Sequence, residues 1–539
     1  MKLKYKRVIF VGFAFFLISA FWQAYDTIIP KILTDKFGLP QVWSGAIMAL
    51  DNVFALILLP IFGALSDKTN SKHGRRTPYI VIGTVIAAIL LVGLSIPDNA
   101  QLQRIEQVSA TEGAGYTEAL GTIWDENPEV QNWKEDEQES QSFFKQLFSS
   151  NTKPLNELIT RDEFTAIPMT VTDANGDEVT NPDYSTIVVP ARQAYAARMT
   201  SQSKAPLIIF MLLLFFVLLA MGTFRSPAVA LMPDVTIKPL RSKANAVINL
   251  MGTAGGILVL LLGIIFGTGK AKNALMSYTT FFAVVAGIMM VGLAVFLWKV
   301  REVKWAAEMQ AETERLGLDQ TTEADVQEAP ARTLSRGEKI SLFLILASVV
   351  FWFMGYNAVT SKYSVYASNV LDVDYNTTLL IAQAAAIVSY LPVGMLSSKL
   401  GRKKMILAGV VILCASFFGA SFLSADSPDT VKTVLMPVLF STAGIGWATI
   451  NVNSYPMVVE LSRGSNVGKY TGFYYTASMS AQVITPMLSG VFLDINMRTL
   501  FPYAAIFVAL AFLTMFFVRH GDAKPEAKEV ALSAMGGDD

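Results

Sequence analysis

The sequence predicts an all-α membrane protein: twelve transmembrane helices in two six-helix halves, with a small external α/β insert. Three observations predict it. Of 539 residues, 53% are hydrophobic and only 16% charged, where a soluble globular domain carries about 25% charged residues. The apolar residues gather into stretches long enough to cross a bilayer. The polar and charged motifs between those stretches recur at a fixed offset along the chain.

A spanning helix needs about 20 predominantly apolar residues. Twelve such stretches occur, near 8–30, 43–65, 78–97, 205–232, 245–267, 278–298, 340–361, 376–396, 404–424, 431–457, 467–491 and 500–518. Lys2, Lys4, Lys6 and Arg7 precede the first, as in a signal peptide. That stretch is too long for a signal h-region and carries Gln23 and Asp26, so it reads as a retained helix. The expected divisions are 1–97, spans one to three; 98–204, an external insert; 205–298, spans four to six; 299–339, a cytoplasmic linker; 340–518, spans seven to twelve; and 519–539, a cytoplasmic tail.

Lys and Arg in short loops set orientation. Lys68, Lys72, Arg75 and Arg76, then Lys238, Arg241 and Lys243, then Lys399, Arg402, Lys403 and Lys404 fall on one side. The basic N-terminus joins them by parity. That side is expected to be cytoplasmic, with both termini inside, in the plasma membrane. The insert then faces outside. It holds 18 Asp/Glu against 8 Lys/Arg, a net of −10, so the formal neutrality of the whole chain is two opposite populations on two faces. Within it, Gln131–Ser149 reads as helix and Thr165–Val189 as strand, an Asn175-Gly176 turn, and strand. The linker reads as partly helical from Trp305 to Leu316.

The repeat is explicit. Gly63-Ala-Leu-Ser-Asp67 leads to Gly74-Arg75-Arg76, and Gly394-Met-Leu-Ser-Ser398 leads to Gly401-Arg402-Lys403; their first glycines are 331 residues apart. The same offset carries Phe21-Trp22 … Tyr25-Asp26 onto Phe351-Trp352 … Tyr356-Asn357. Asp234 and Glu460, and Lys243 and Lys469, are 226 apart. The offsets differ by 105, about the length of the insert, so a duplicated six-helix unit with one insertion accounts for both.

Two such halves with a Gly-x-Leu-Ser-Asp/Ser … Gly-Arg loop resemble the major facilitator superfamily. In that resemblance Gly63, Asp67, Gly74, Arg75, Arg76, Gly394, Gly401 and Arg402 form a conformational latch: glycine lets helices approach, and Asp67 pairs with the basic loop or faces a helix N-terminus. The long form of the loop, Gly63 to Ile80, looks like that of the plant sucrose–proton symporters and their relatives in the glycoside–pentoside–hexuronide:cation symporter group. Arg225-Ser-Pro … Pro-Asp234, Arg241-Ser-Lys-Ala-Asn and Gly444-Ile-Gly-Trp-Ala448 are similar to further segments of that branch. The positions where the branch places coupling carboxylates are Leu218, Ala55 and Leu59 here, which leaves the coupling ion open, the proton being favoured over sodium.

An ionisable residue inside a span marks function by default. The coupling candidates are Asp26, Asp51 and Arg225. A carboxylate held in the membrane can bind and release protons, whereas Arg225 keeps its charge and must face a carboxylate, carbonyls or water. Neutral donors and acceptors at membrane depth, Asn52, Asn357, Gln383, Asn451, Asn453 and Gln482, suit sugar hydroxyls. Trp22, Tyr25, Trp352, Tyr356 and Trp447 offer aromatic faces for the sugar C–H surface. Gly252-x-x-x-Gly256 and Gly263-x-x-x-Gly267 read as close-packing faces; the proline of a drug-antiporter motif is missing there.

Enzyme chemistry is not expected. The lone cysteine, Cys414, lies in an apolar run, the two histidines, His73 and His520, sit beside basic loops, and there is no phosphate-binding Gly-rich loop. No cofactor, metal or nucleic acid is expected; zinc needs clustered Cys and His and nucleic acid a basic face. The expected function is sugar:proton symport by a monomer through alternating access around a midplane site. An antiporter of another solute, or a non-transporting sensor, are the alternatives.

Overall fold

A computed structural model describes residues 4–130, 153–172, 178–237, 240–315, 335–424, 427–460 and 467–520. Long helices dominate because in hydrocarbon every backbone N–H and C=O must be satisfied within its own segment. In the first half these are α1 (Tyr5–Lys31), α2 (Gln41–Met48), α3 (Leu50–Lys68), α4 (Thr77–Gly93) and α5 (Ser95–Arg104). The insert carries α6 (Gly113–Glu126), α7 (Leu155–Leu158), α8 (Arg161–Ala166) and α9 (Val189–Gln202). The first half resumes with α10 (Ala205–Asp234), α11 (Arg241–Phe266) and α12 (Thr279–Lys299), and α13 (Glu302–Arg315) lies in the linker. The second half has α14 (Arg336–Tyr366), α15 (Tyr375–Leu400), α16 (Arg402–Ala420), α17 (Asp429–Glu460), α18 (Val467–Ile495) and α19 (Leu500–Phe516).

Among the described residues ten helices, counted with their direct continuations, are long and apolar enough to cross a membrane. α15 and α18 are of spanning length too, at 26 and 29 residues. All twelve predicted stretches are thus helical, and the chain is a multi-pass membrane protein. Two spans are compound: α2 and α3 meet at Ala49, and α4 and α5 at Leu94. The first helix of each half ends in a five-residue π-helical turn, Ile32–Lys36 after α1 and Ala367–Leu371 after α14.

Each half has its own hydrophobic core. One is built around Phe21, Tyr25, Ile28, Leu91, Phe210, Phe224 and Phe282, the other around Trp352, Tyr363, Tyr366, Phe417, Tyr474 and Phe501. Glycines set the closest approaches. A Cβ on Gly63 of α3 would lie 2.9 Å from Ser226 Oγ of α10, and one on Gly252 of α11 would lie 3.0 Å from Ser19 Oγ of α1. Gly255 meets the Phe16 carbonyl of α1 in the same way, so this part of α11 packs against α1, whereas Gly263 meets Asn376 of α15 and Gly267 ends α11 with φ +65°.

The insert has a third core, with Tyr116, Leu120, Phe164 and Tyr184 packed together with Ala271 and Leu275 from the α11–α12 loop. Two antiparallel ribbons edge it: β1 (Glu129–Val130) with β2 (Lys153–Pro154), and β3 (Thr170–Thr172) with β4 (Glu178–Thr180), the latter pairing Thr170 with Thr180. The β3–β4 hairpin falls within the expected Thr165–Val189 span but is shorter: Thr165 and Ala166 end a helix and Tyr184–Val188 form a π-helical turn instead of strand; the Asn175-Gly176 turn and the Gln131–Ser149 helix lie outside the described residues. In the linker, Arg7 pairs with Glu308 at 2.6 Å and lies over the Trp305 ring. Donation from the Arg7 guanidinium, joined by Lys4, holds the Glu308 carboxyl below its ordinary range.

Connectivity places the basic loops at the end of the bundle opposite the insert. At the insert end the two halves are bonded to each other. Asn369 donates to Asp35 Oδ1 at 2.6 Å, and Gln193 of the insert donates to the same oxygen at 2.8 Å. Thr180 of β4 donates to Asp372, which also accepts from the Ala271 backbone N–H. The insert is therefore pinned to both halves.

Candidate transport site

α1 places the site. Along its length the partly exposed residues recur at helical spacing, Ser19, Trp22, Gln23 and Asp26, while Phe21, Ala24, Tyr25 and Thr27 are buried. One stripe of the helix thus faces open space between the halves while the rest packs into the first core. Asp26 is exposed on that stripe, at a depth where a carboxylate is tolerated only if hydrated or paired.

Asp51 on α3 and Arg225 on α10 come to the same place. Asp26, Asp51 and Arg225 lie within electrostatic reach of one another, and Tyr25 lies within reach of both carboxylates. Asn52 donates from Nδ2 to Asp51 Oδ1 at 2.8 Å. The Arg225 guanidinium sits 5.7 Å from the centroid of the Trp22 ring, and Trp22 meets Tyr25 edge to face at 5.3 Å. The three charged candidates and two of the aromatic ones form one cluster in the first half. Trp22 Nε1 and Tyr25 OH are buried with no hydrogen-bond partner among the described residues.

The second half supplies a different surface. Tyr356 and Trp447 stack at 3.6 Å between centroids with planes 2° apart, and Phe353 closes on the Trp447 edge at 5.2 Å. Asn357, the repeat mate of Asp26, is half-buried and its Nδ2 has no hydrogen-bond partner among the described residues. The halves meet where Gln383 Nε2 of α15 donates to Gln23 Oε1 of α1 at 2.8 Å. Gly256 of α11 lies beside that pair. Gln482 and Asn451 are half-buried.

Three candidates lie in packing. Tyr25 is 1% exposed, in the first core. Trp352 is fully buried in the second core. Asn453 is fully buried and donates from Nδ2 to the Thr449 carbonyl one turn back. Hydropathy treats any tryptophan or asparagine in a span alike, so the sequence did not separate core from cavity.

The latch loop is assembled around one carboxylate. Arg75 and Arg76 both bond to Asp234 at the end of α10, through Arg75 Nη2 at 2.7 Å and Arg76 Nε at 2.8 Å. Arg76 also reaches Asp67, Ser66 and the Gly63 carbonyl. Glu302 of α13 accepts from the backbone N–H groups of Arg75, Arg76 and Thr77 at 2.7, 2.9 and 2.8 Å, capping the N-terminus of α4. In the second half Gly394 is buried on α15, Gly401 has φ +91° and Arg402 is buried at the start of α16.

A family model described as Major Facilitator Superfamily matches residues 189–455 and 375–534, well over half of the chain. The chain belongs to the major facilitator superfamily. A second model, described as MFS/sugar transport protein, matches residues 10–103, the segment holding Asp26, Asp51 and the latch loop. Among superfamily relatives, an uncharacterized symporter of Bacillus subtilis is 30% identical over 125 residues, 23% of this chain and 26% of that one. A sucrose transport protein of Arabidopsis thaliana is 37% identical over 54 residues, 10% of this chain and 11% of that one. These matches span about a quarter or less of the relatives' length. The inward-open xylose transporter of Escherichia coli superimposes with a TM-score of 0.55 at 15% identity, covering 98% of this chain and 99% of that one; at such identity the likeness shows the fold alone.

Proposed function

We propose that the protein is a sugar:proton symporter working by alternating access. It lies in the plasma membrane with both termini and the basic loops in the cytoplasm and residues 98–204 outside, and it acts as a monomer. The observation that carries this reading is the Asp26–Asp51–Arg225 cluster beside Trp22 and Tyr25. It places two carboxylates, a permanent cation and an aromatic face on the cavity side of one half. The other half contributes the stacked Tyr356–Trp447 pair and Gln383, which bonds to Gln23 of α1. A sugar needs such a mix: amides and carboxylates around its hydroxyls and a flat π surface for its C–H face. With the halves bonded at the insert end, that end is shut in this structure.

Proton coupling follows from the carboxylates. Protonation removes a charge that pairs with Arg225, which changes the balance between the two conformations by the difference in interaction each offers. In proteoliposomes, an imposed gradient of one pH unit supplies about 1.4 kcal/mol per proton, enough for about tenfold accumulation of a labelled disaccharide. Uptake driven by that gradient is the expected result. Identical uptake with and without it, for every sugar offered, would overturn the proposal.

A further inference from the structure

We infer that the insert end of the bundle is held shut by a repeat-related pair of buried lysines, Lys31 of α1 and Lys362 of α14, and that these are gate residues of the transport cycle. The inference rests on the alternating-access reading of the two halves. Lys31 and Lys362 are 331 residues apart, the offset that relates the two halves elsewhere. Both are fully buried, and each ends where helices of different halves meet.

Lys31 Nζ donates to the Thr268 carbonyl at 2.7 Å, just beyond α11, and to Ser368 Oγ of the second half at 3.1 Å. Ser368 Oγ in turn donates back to the Gly269 carbonyl of the first half at 3.2 Å. Lys362 Nζ donates across the same boundary in the other direction, to the Gln41 carbonyl at 2.6 Å and to Gln41 Oε1 at 3.3 Å, at the start of α2. Asp494 at the end of α18 accepts from the Gln41 backbone N–H and from that of Val42 at 2.8 Å, and lies within electrostatic reach of Lys362. Thr268 and Asp494 are themselves 226 apart, the second offset of the repeat. Each corner therefore has the same parts: a lysine from the first helix of one half, the end of the fifth helix of that half, and a segment of the opposite half.

The energetics give the corners a direction. An ammonium inside protein is tolerated only when it is hydrogen-bonded, and taking away one member of such a group leaves its partners buried and unsatisfied. With the end open, the same carbonyls and Asp494 meet water and lose nothing by its removal. Truncating the lysines therefore raises the free energy of the shut state alone. Packing glycines set the limit of closure: a Cβ on Gly45 of α2 would overlap the Pro486 carbonyl of α18, so backbone contact and lysine bonds form together.

The test reads conformation, with no sugar and no gradient present. With Cys414 replaced by serine, Lys272→Cys in the α11–α12 loop and Phe422→Cys after α16 carry spin labels at exposed insert-end positions of opposite halves. Pulsed electron–electron distance measurement gives the short- and long-distance populations. The Lys31→Ala/Lys362→Ala variant loses four buried hydrogen bonds and is expected to raise the long-to-short ratio by about tenfold or more. Lys362→Arg, which keeps a cation, is expected to stay close to the parent. If the alanine pair does not fold, Lys31→Met and Lys362→Met, which keep side-chain bulk, read the same ratio. A ratio unchanged in every folded variant overturns the inference. A shifted ratio in a protein that moves no sugar leaves the latch standing and removes the symport reading instead.

Discussion

Asp26→Asn is expected to abolish gradient-driven uptake, lowering its initial rate by about 100-fold or more, the scale on which removing a positioned proton-transfer group is felt. The substitution is nearly isosteric. It keeps a hydrogen-bonding group on the exposed stripe of α1 and makes the position match Asn357, its repeat mate in the second half. What it removes is the ability to carry a charge in one state and none in the other. Sugar binding and exchange between equal concentrations on the two sides require no net proton movement, so exchange is expected to persist in this variant. Asp51→Asn is expected to have the smaller effect, because Asp51 already accepts from Asn52 and is half-buried on α3. The measurement is the initial rate against the size of the imposed gradient, alongside exchange. If both single variants keep the gradient dependence of the parent, the coupling group lies elsewhere in the chain.

The sequence made some of this legible and hid the rest for physical reasons. All twelve helices were visible because a membrane span must be long, apolar and helical. Asp26, Asp51 and Arg225 were visible as charges inside such spans, and they do converge. Lys31 and Lys362 were missed by one residue each: the apolar stretches were drawn at 8–30 and 340–361, stopping where charge begins. The helices run on because those lysines are satisfied by carbonyls and hydroxyls of the facing half, which hydropathy cannot register. The repeat offset would have found them, since it maps one directly onto the other. Glu302 was hidden differently. It looked like one charge among many in a linker of mixed sign, and most of its partners are backbone N–H groups, joined by the Thr77 hydroxyl, which leave little mark on side-chain patterns. Trp352 and Asn453 show the reverse error, residue types suited to a sugar but turned into packing.

Gly74 and Glu302 lead to the other large effect. Gly74 has φ +109°, a conformation that strains any residue with a Cβ. A Cβ there would also overlap the Glu302 carboxyl group. Glu302 is 4% exposed and accepts from the Thr77 N–H that opens α4 and from the Arg76 and Arg75 N–H groups just before it, donors with no helical partner at a helix start. Glu302→Ala is expected to cost about 2–4 kcal/mol, combining orphaned buried donors with the loss of a carboxylate at a helix N-terminus. Gly74→Ala is expected to cost at least as much, because backbone strain of about 1–3 kcal/mol adds to the eviction of the same carboxylate. The two substitutions therefore damage one interaction, and their effects are expected not to add. The double variant should melt close to Gly74→Ala alone, as read from apparent melting temperatures of the purified protein under one scan rate. Additive losses would show that Gly74→Ala leaves Glu302 in place. The consequence reaches the basic loop, because the backbone that Glu302 orders is the one that aims Arg75 and Arg76 at Asp234. Both variants should then lower the rate of uptake while leaving its gradient dependence intact, the opposite signature to Asp26→Asn.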